Sequence, residues 1–76
     1  MQLGKDLYKA LMLRYEYAIA DARARLKIYF ENPVGIGEHP QHTEEMDKLL
    51  SQLSSAQDNK EALEKNFKNM YGVDHE

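Results

Sequence analysis

Apolar residues recur at alternating intervals of three and four in two long segments, and this spacing restricts the fold more than any other feature of the chain. The first series consists of Tyr8, Met12, Tyr15, Ile19, Ala22, Leu26 and Tyr29. The second consists of Met46, Leu49, Leu53, Ala56, Lys60, Leu63, Phe67 and Met70. Such intervals place side chains along one face of an α-helix, whereas a half-buried strand needs alternation every two residues. The spacing therefore predicts two helices, each with one apolar seam.

A single stretch rich in helix-breaking residues separates the two series. Residues 31–40 contain both prolines and two of the four glycines. Asn32 precedes a proline, which disfavours helical dihedrals, so the first helix should end near Glu31. The sequence therefore predicts one all-α domain over residues 1–76, an antiparallel, coiled-coil-like two-helix hairpin. Its expected parts are a helix over about 4–31, a loop over 32–41 and a helix over about 42–71.

The ends of the second helix carry recognisable signals. Either Pro40, which suits the first helical position, or Thr43, which suits an N-cap, can open the helix, and Gly72 can end it in a left-handed conformation. Antiparallel folding would place Tyr8 near Phe67 and Met70 at the open end of the hairpin.

The short chain needs support beyond its own core. A single core in 76 residues rarely supplies more than a few kcal/mol. The chain has no cysteine, which excludes disulfides and thiolate zinc sites. Self-association remains, and we predict a homo-oligomer.

No apolar run has the length of a membrane span, and the N-terminus lacks the apolar core of a secretory signal. We therefore expect a soluble protein of the cytoplasm with no membrane partner.

The charges are nearly balanced but unevenly distributed. The chain has 10 basic and 13 acidic residues, for a net charge of −3. Residues 1–30 carry six basic and three acidic side chains, so this half is +3 and the remainder is −6. Halves of opposite sign suit pairing with each other better than binding to a polyanion. The sequence therefore predicts no nucleic-acid partner.

The first segment carries a second apolar stripe away from its seam, whereas the second segment is polar on its outer side. This stripe consists of Leu13, Tyr17, Ala20, Ala24 and Ile28, and is widened by Leu7, Leu11 and Phe30. One neighbouring helix cannot cover a helix that is apolar nearly all round. We therefore predict that hairpins pair through their first helices into a four-helix bundle or a larger assembly.

Lys60 is the one polar member of the two seam series. A lone polar residue at such a position can specify register or oligomer number, which makes it a candidate interface residue. The alternative is that its ammonium group extends to solvent past an apolar stem.

The region between the segments contains the candidate ligand contacts. His39 and His42, beside Glu38 and Glu45, have a spacing compatible with zinc or nickel, but ordinary loop and cap histidines are the better interpretation. We therefore predict no metal site and no cofactor.

Gly35 and Gly37 resemble an anion-binding loop without the rest of a nucleotide motif. Special backbone dihedrals explain both glycines better. Asn32, next to this loop, is a further candidate contact.

Basic residues cluster near the end of the first segment at Arg23, Arg25 and Lys27. They point in different directions on a helix, which suits a solvated face better than a phosphate-binding track. A basic, tyrosine-lined patch at a subunit interface could still hold an anionic small molecule. The sequence shows no nucleophile–base pair or convergent carboxylates, so we predict that the protein is not an enzyme.

The stretch from Tyr29 to Pro40, YFENPVGIGEHP, followed by EEMDKLL at 44–50, resembles small uncharacterised α-helical proteins of tailed bacteriophages, including T4-like ones. The resemblance covers about residues 10–65. It implies a role in the phage cycle inside a bacterial host cell, and it brings no assigned activity or functional residues.

Two classes of function follow from these observations. The first is an interaction protein, either an assembly factor or a binder or inhibitor of a host or phage protein. The second is an oligomer that sequesters an anionic, nucleotide-like small molecule. Dispersed charges and the absence of a complete phosphate motif favour the first.

Overall fold

The computed structural model describes residues 2–32 and 42–73, and all its regular structure there is helical. Helix α1 spans Leu3–Glu31, helix α2 spans His42–Phe67, and a π-helical turn follows over Lys68–Gly72. The helices pack side by side in a rod of 55 × 17 × 16 Å. The prediction of an all-α, two-helix hairpin is confirmed.

The seam between α1 and α2 follows the three-and-four spacing closely. Every member of the first series is buried or half-buried, and so are the members of the second series as far as Leu63. Among the described residues only four apolar side chains are classed as buried: Ala22, Leu26, Leu49 and Ala56. Two of these are alanines, which bury little apolar area. The core of one hairpin is therefore thin.

The helix ends facing residues 33–41 have clear local causes. Asn32 leaves helical dihedrals with φ −146°, as a residue before proline tends to do, and its backbone N–H donates to the Ile28 carbonyl at 2.8 Å. Helix α2 begins at His42. This start agrees with the predicted one at about residue 42. Of the two candidate start signals, Thr43 lies inside the first turn and is not the N-cap, and Pro40 lies outside the described residues. The His42 ring stands edge-on to Tyr29, with centroids 5.7 Å apart, and joins the two helices at this end.

The open end of the hairpin departs from the predicted pattern. The α-helical hydrogen bonding of α2 stops at Phe67, and the π-helical turn carries the chain to Gly72. Because a π turn bonds residue i to i+5, it contains one more residue than an α turn. The ring that contacts α1 is therefore that of Tyr71, which lies against Gly4 and is 42% exposed, whereas Phe67 is 45% exposed and Met70 is 64% exposed. The prediction that Met70 belongs to the seam is wrong for this reason.

Two glycine–tyrosine contacts, here called the clasp, close the open end. A Cβ built on Gly4 would lie 2.8 Å from two ring carbons of Tyr71, and one built on Gly72 would lie 2.7 Å from two ring carbons of Tyr8. Gly72 does not have a left-handed φ, so our expectation for it was wrong. Both glycines are explained by close approach of a ring, a use for which glycine is suited because it lacks a Cβ.

A double-mutant cycle tests the clasp. In a Tyr71→Ala background, Gly4→Ala should stabilise the hairpin by up to about 1 kcal/mol, because alanine is the better helix former. With Tyr71 present, the new methyl group displaces the ring, and the gain should shrink or reverse. Chemical denaturation of the four proteins measures the difference. Equal effects of Gly4→Ala in both backgrounds would contradict the contact.

The Tyr8 ring provides a pH-dependent readout of the same end. Burial, and secondarily the Glu64 carboxylate, raise the pKa of the Tyr8 phenol above its usual 10.0. A raised pKa favours the protonated phenol in the folded state, so this stabilisation is complete below pH 10 and is lost as pH rises through the pKa of Tyr8. The stability of wild type relative to Tyr8→Phe should fall over that range. In a tyrosinate absorbance titration, Glu64→Gln should lower the pKa of Tyr8; an unchanged pKa would refute the role of Glu64.

Candidate interaction surface on the first helix

Helix α1 presents an apolar surface on the side away from α2, here called the outer face. It is formed by Leu3, Leu7, Ala10, Leu13, Tyr17, Ala20, Ala24 and Ile28, all of them exposed. Tyr17, near the middle, is 70% exposed, and Leu13 is 56% exposed. These residues alternate in position with the seam residues along the same helix. Since α2 occupies the seam side, nothing within the described hairpin covers the outer face.

The corresponding side of α2 has the opposite character. Its exposed outward positions are mainly polar or charged: Glu44, Asp47, Lys48, Ser51, Ser54, Ser55, Asp58, Glu61, Lys65 and Asn69. Ordinary amphipathic helices have such a side facing water. The contrast identifies the outer face of α1 as the candidate interaction surface.

Several charged residues border the apolar part of the outer face. They include Asp6, Lys9, Arg14, Asp21, Arg25 and Lys27. Asp21 accepts a hydrogen bond at 3.0 Å from Nε of Arg25, one turn further along α1. Asp6, Arg14 and Lys27 form no ion pair with the described residues. Three border charges are therefore available to a partner.

The predicted interface residues fall into two places. Leu13, Tyr17, Ala20, Ala24 and Ile28 lie together on the outer face. Lys60 instead lies half-buried in the seam of its own hairpin. Its Nζ reaches the edge of the seam, 3.7 Å from Oε2 of Glu16 on α1, in the snorkelling geometry that was the alternative interpretation.

Replacing Lys60 tests what this polar seam position does. Lys60→Leu should raise the free energy of unfolding by about 1 kcal/mol, because apolar burial outweighs a partly exposed ion pair. The matched control Lys65→Leu, on the polar side of α2, should change it by less than about 0.5 kcal/mol. Thermal and urea unfolding provide the values. Lower stability of Lys60→Leu would mean that the pair with Glu16 is the larger contribution, and a changed oligomer mass would support the register role.

The basic residues of α1 do not converge on one site. Arg23, Arg25 and Lys27 are all exposed. The hydrogen bond and charge of Asp21 raise the pKa of Arg25 above its usual value. Arg25 borders a shallow concavity of about 260 Å³ together with Ile28, Tyr29, Glu45 and Leu49. The Glu45 carboxylate in its lining opposes binding of an anion there.

The remaining candidates belong to the loop and its borders. Gly35, Gly37 and His39 lie outside the described residues. His42 packs against Tyr29, and the backbone N–H of Asn32 caps α1. Within residues 2–32 and 42–73, no group of three or more histidine, cysteine or acidic side chains is arranged to hold a metal ion.

Some surface residues were missed by the sequence reasoning. Leu3 and Ala10 extend the outer face toward the open end. The signal for them is an interval of seven residues, shared with Tyr17 and Ala24.

An apolar hollow of about 320 Å³ lies beside them, between the clasp and the outer face. Its lining is Gly4, Leu7, Tyr8, Leu11, Leu63, Phe67 and Tyr71. Because the π-helical turn places Tyr71 there, the sequence pattern of an unbroken α-helix does not predict this hollow.

Neither described helix has a stretch long and apolar enough to cross a membrane. Comparison of the chain with protein-family models, curated proteins and solved structures finds no match. Function must therefore be argued from the outer face itself.

Proposed function

We propose that the protein is a self-associating helical hairpin that acts by protein–protein interaction, with the outer face of α1 as its docking surface. The observation that carries this proposal is the row of exposed apolar side chains from Leu3 to Ile28 on the helix side opposite the seam. Contiguous apolar surface of this kind usually marks an interaction site.

The total surface area supports the proposal. The chain exposes 6235 Å², whereas a compact monomer of 8.8 kDa is expected to expose about 4,800 Å². The excess, about 1,400 Å² per chain, is larger than the roughly 800 Å² that each partner buries in a standard protein interface. Pairing through the outer face would remove a substantial part of it.

The thin core supports it as well. Of the four buried apolar residues in the described hairpin, only Leu26 and Leu49 are large, and each contributes roughly 1.5–3 kcal/mol. No cysteine is present to add a disulfide. Burial of the outer face between copies would supply the apolar area that a single hairpin lacks.

A protein other than a second copy is the further partner that the sequence suggests. The resemblance to bacteriophage proteins implies a host or phage protein, with this chain acting as an assembly factor, a binder or an inhibitor in the host cytoplasm. A self-associated core would then present the polar sides of α2 to such a partner.

The ligand-sequestering alternative has less support. Arg25 is engaged by Asp21 at 3.0 Å, and the tyrosine-lined concavity beside it contains Glu45. A nucleotide-like anion would meet this carboxylate as well as the arginine. Native mass spectrometry of gently purified protein tests the alternative directly, since retained nucleotide-sized mass would favour sequestration.

Replacement of Tyr17 tests self-association. Sedimentation analysis at micromolar concentration should find the wild type as an oligomer and Tyr17→Glu at least tenfold weaker in association, because a carboxylate would be buried in the apolar interface. Circular dichroism should show the same helix content in both, since Tyr17 lies outside the seam.

The matched control is Ser51→Glu, which adds the same charge on the polar side of α2. Its association should equal that of the wild type. A wild-type chain that sediments as a compact monomer at these concentrations would contradict the proposed function.

A further inference from the structure

Four of the charges that border the outer face are arranged symmetrically about Tyr17. Lys9 and Arg25, each eight residues from Tyr17, are both basic and stand outside this arrangement, and Arg25 is paired with Asp21 in its own helix. Asp6 lies eleven residues before Tyr17, and Lys27 lies ten residues after it. Arg14 lies three residues before it, and Asp21 lies four residues after it. In each of these two sets an acid and a base stand at nearly equal distances on opposite sides of the centre.

The apolar residues show the same symmetry. Leu7 and Ile28 lie ten and eleven residues from Tyr17, and Ala10 and Ala24 each lie seven residues from it. Leu13 and Ala20, four and three residues away, pair a large side chain with a small one. If α1 is turned end for end about Tyr17, these apolar residues therefore fall on apolar residues, and each of the four charges falls near a charge of opposite sign.

From this arrangement we infer that two copies pair α1 against α1 in antiparallel orientation, with Tyr17 at the two-fold axis. This inference rests on the proposed function and specifies its partner and geometry. Each interface contains Asp6 opposite Lys27 of the second copy and Arg14 opposite Asp21 of the second copy, each pair occurring twice. Self-complementarity of this kind is what a two-fold, isologous interface requires.

Parallel pairing is disfavoured by the same residues. In a parallel, in-register pair the two copies of each residue stand at the same level, so none of Asp6, Arg14 and Lys27 is level with an opposite charge from this set of four. Arrangements without complementary charges are the less favourable ones. Antiparallel pairing brings each of these three charges level with one of opposite sign.

Asp21 can serve two partners in the antiparallel pair. Its Oδ1 accepts from Arg25 in the same helix, and an ionised carboxylate has further acceptor sites on both oxygens. Because α2 lies on the opposite side of α1, the two α1 helices would occupy the centre and the two α2 helices the outside. The product is a four-helix layer in the order α2, α1, α1, α2.

Charge reversal with mixing tests the pairing. Asp6→Lys alone and Lys27→Asp alone should each weaken self-association about tenfold at low salt, because two attractive pairs become repulsive. An equimolar mixture of the two variants should recover near wild-type affinity, since each lysine at positions 6 and 27 of one variant then meets an aspartate of the other. Asp58→Lys and Lys65→Asp, on the polar side of α2, are matched controls and should associate like the wild type. Helix content by circular dichroism verifies that each variant folds.

Cysteine cross-linking reports the orientation directly, because the natural chain has no cysteine. In the antiparallel pair, the two copies of an Ala24→Cys variant carry their thiols about 21 Å apart along the helix at 1.5 Å per residue. Disulfides require Cα atoms within about 7 Å. Ala10→Cys and Ala24→Cys should therefore not cross-link separately and should cross-link when mixed under oxidising conditions.

The outcomes separate the inference from the proposed function. Cross-linking of each cysteine variant with itself, without mixed cross-links, would overturn the antiparallel arrangement and leave self-association intact. Association of wild type that neither charge reversal nor Tyr17→Glu weakens would place the interface elsewhere, and would overturn both the inference and the outer face as the docking surface while leaving self-association intact. A monomeric wild type would overturn both proposals.

Discussion

The seam between α1 and α2 holds the hairpin together, and it uses only one side of each helix. Apolar side chains at intervals of three and four form a stripe, and a single straight partner covers only that stripe. For α2 this is sufficient, because its remaining surface is mainly polar. For α1 it is not, because a second apolar row lies on the opposite side. The exposed outer face thus follows directly from pairing an all-round apolar helix with one neighbour.

The two ends of the hairpin are closed by aromatic rings in different ways. Near the loop, the Tyr29 ring meets the His42 ring edge-on across the helices, a favoured geometry for aromatic pairs. At the open end, the rings of Tyr8 and Tyr71 lie where Gly72 and Gly4 remove the Cβ of the opposing helix. A glycine inside α1 weakens the helix locally, and the ring contact is the compensating interaction.

The surface of the described residues is more distinctive than their interior. Within the described residues, no polar or charged side chain is buried and no group of candidate ligands is arranged for a metal ion. What distinguishes the molecule is where its apolar area and its border charges lie. Asp6, Arg14, Asp21 and Lys27 follow an order that is complementary to its own reverse. The proposed pairing with a second copy is based on this order together with the apolar row.

The helical fold, the seam and the outer stripe follow from the amino-acid sequence alone, because these depend on periodicity along one element. The spacing from Tyr8 to Tyr29 predicted the buried side of α1, and Leu13, Tyr17, Ala20, Ala24 and Ile28 were predicted to lie together away from it. Packing between the helices settled what periodicity cannot specify. The π-helical turn places Tyr71, and not Met70, against α1. Gly72 allows close approach of the Tyr8 ring and does not have a left-handed φ. The side chain of Lys60 extends across the seam to Glu16. Each of these depends on how closely one helix approaches the other at a given residue, and that distance is set by the packed side chains of both helices, not by the pattern of either one.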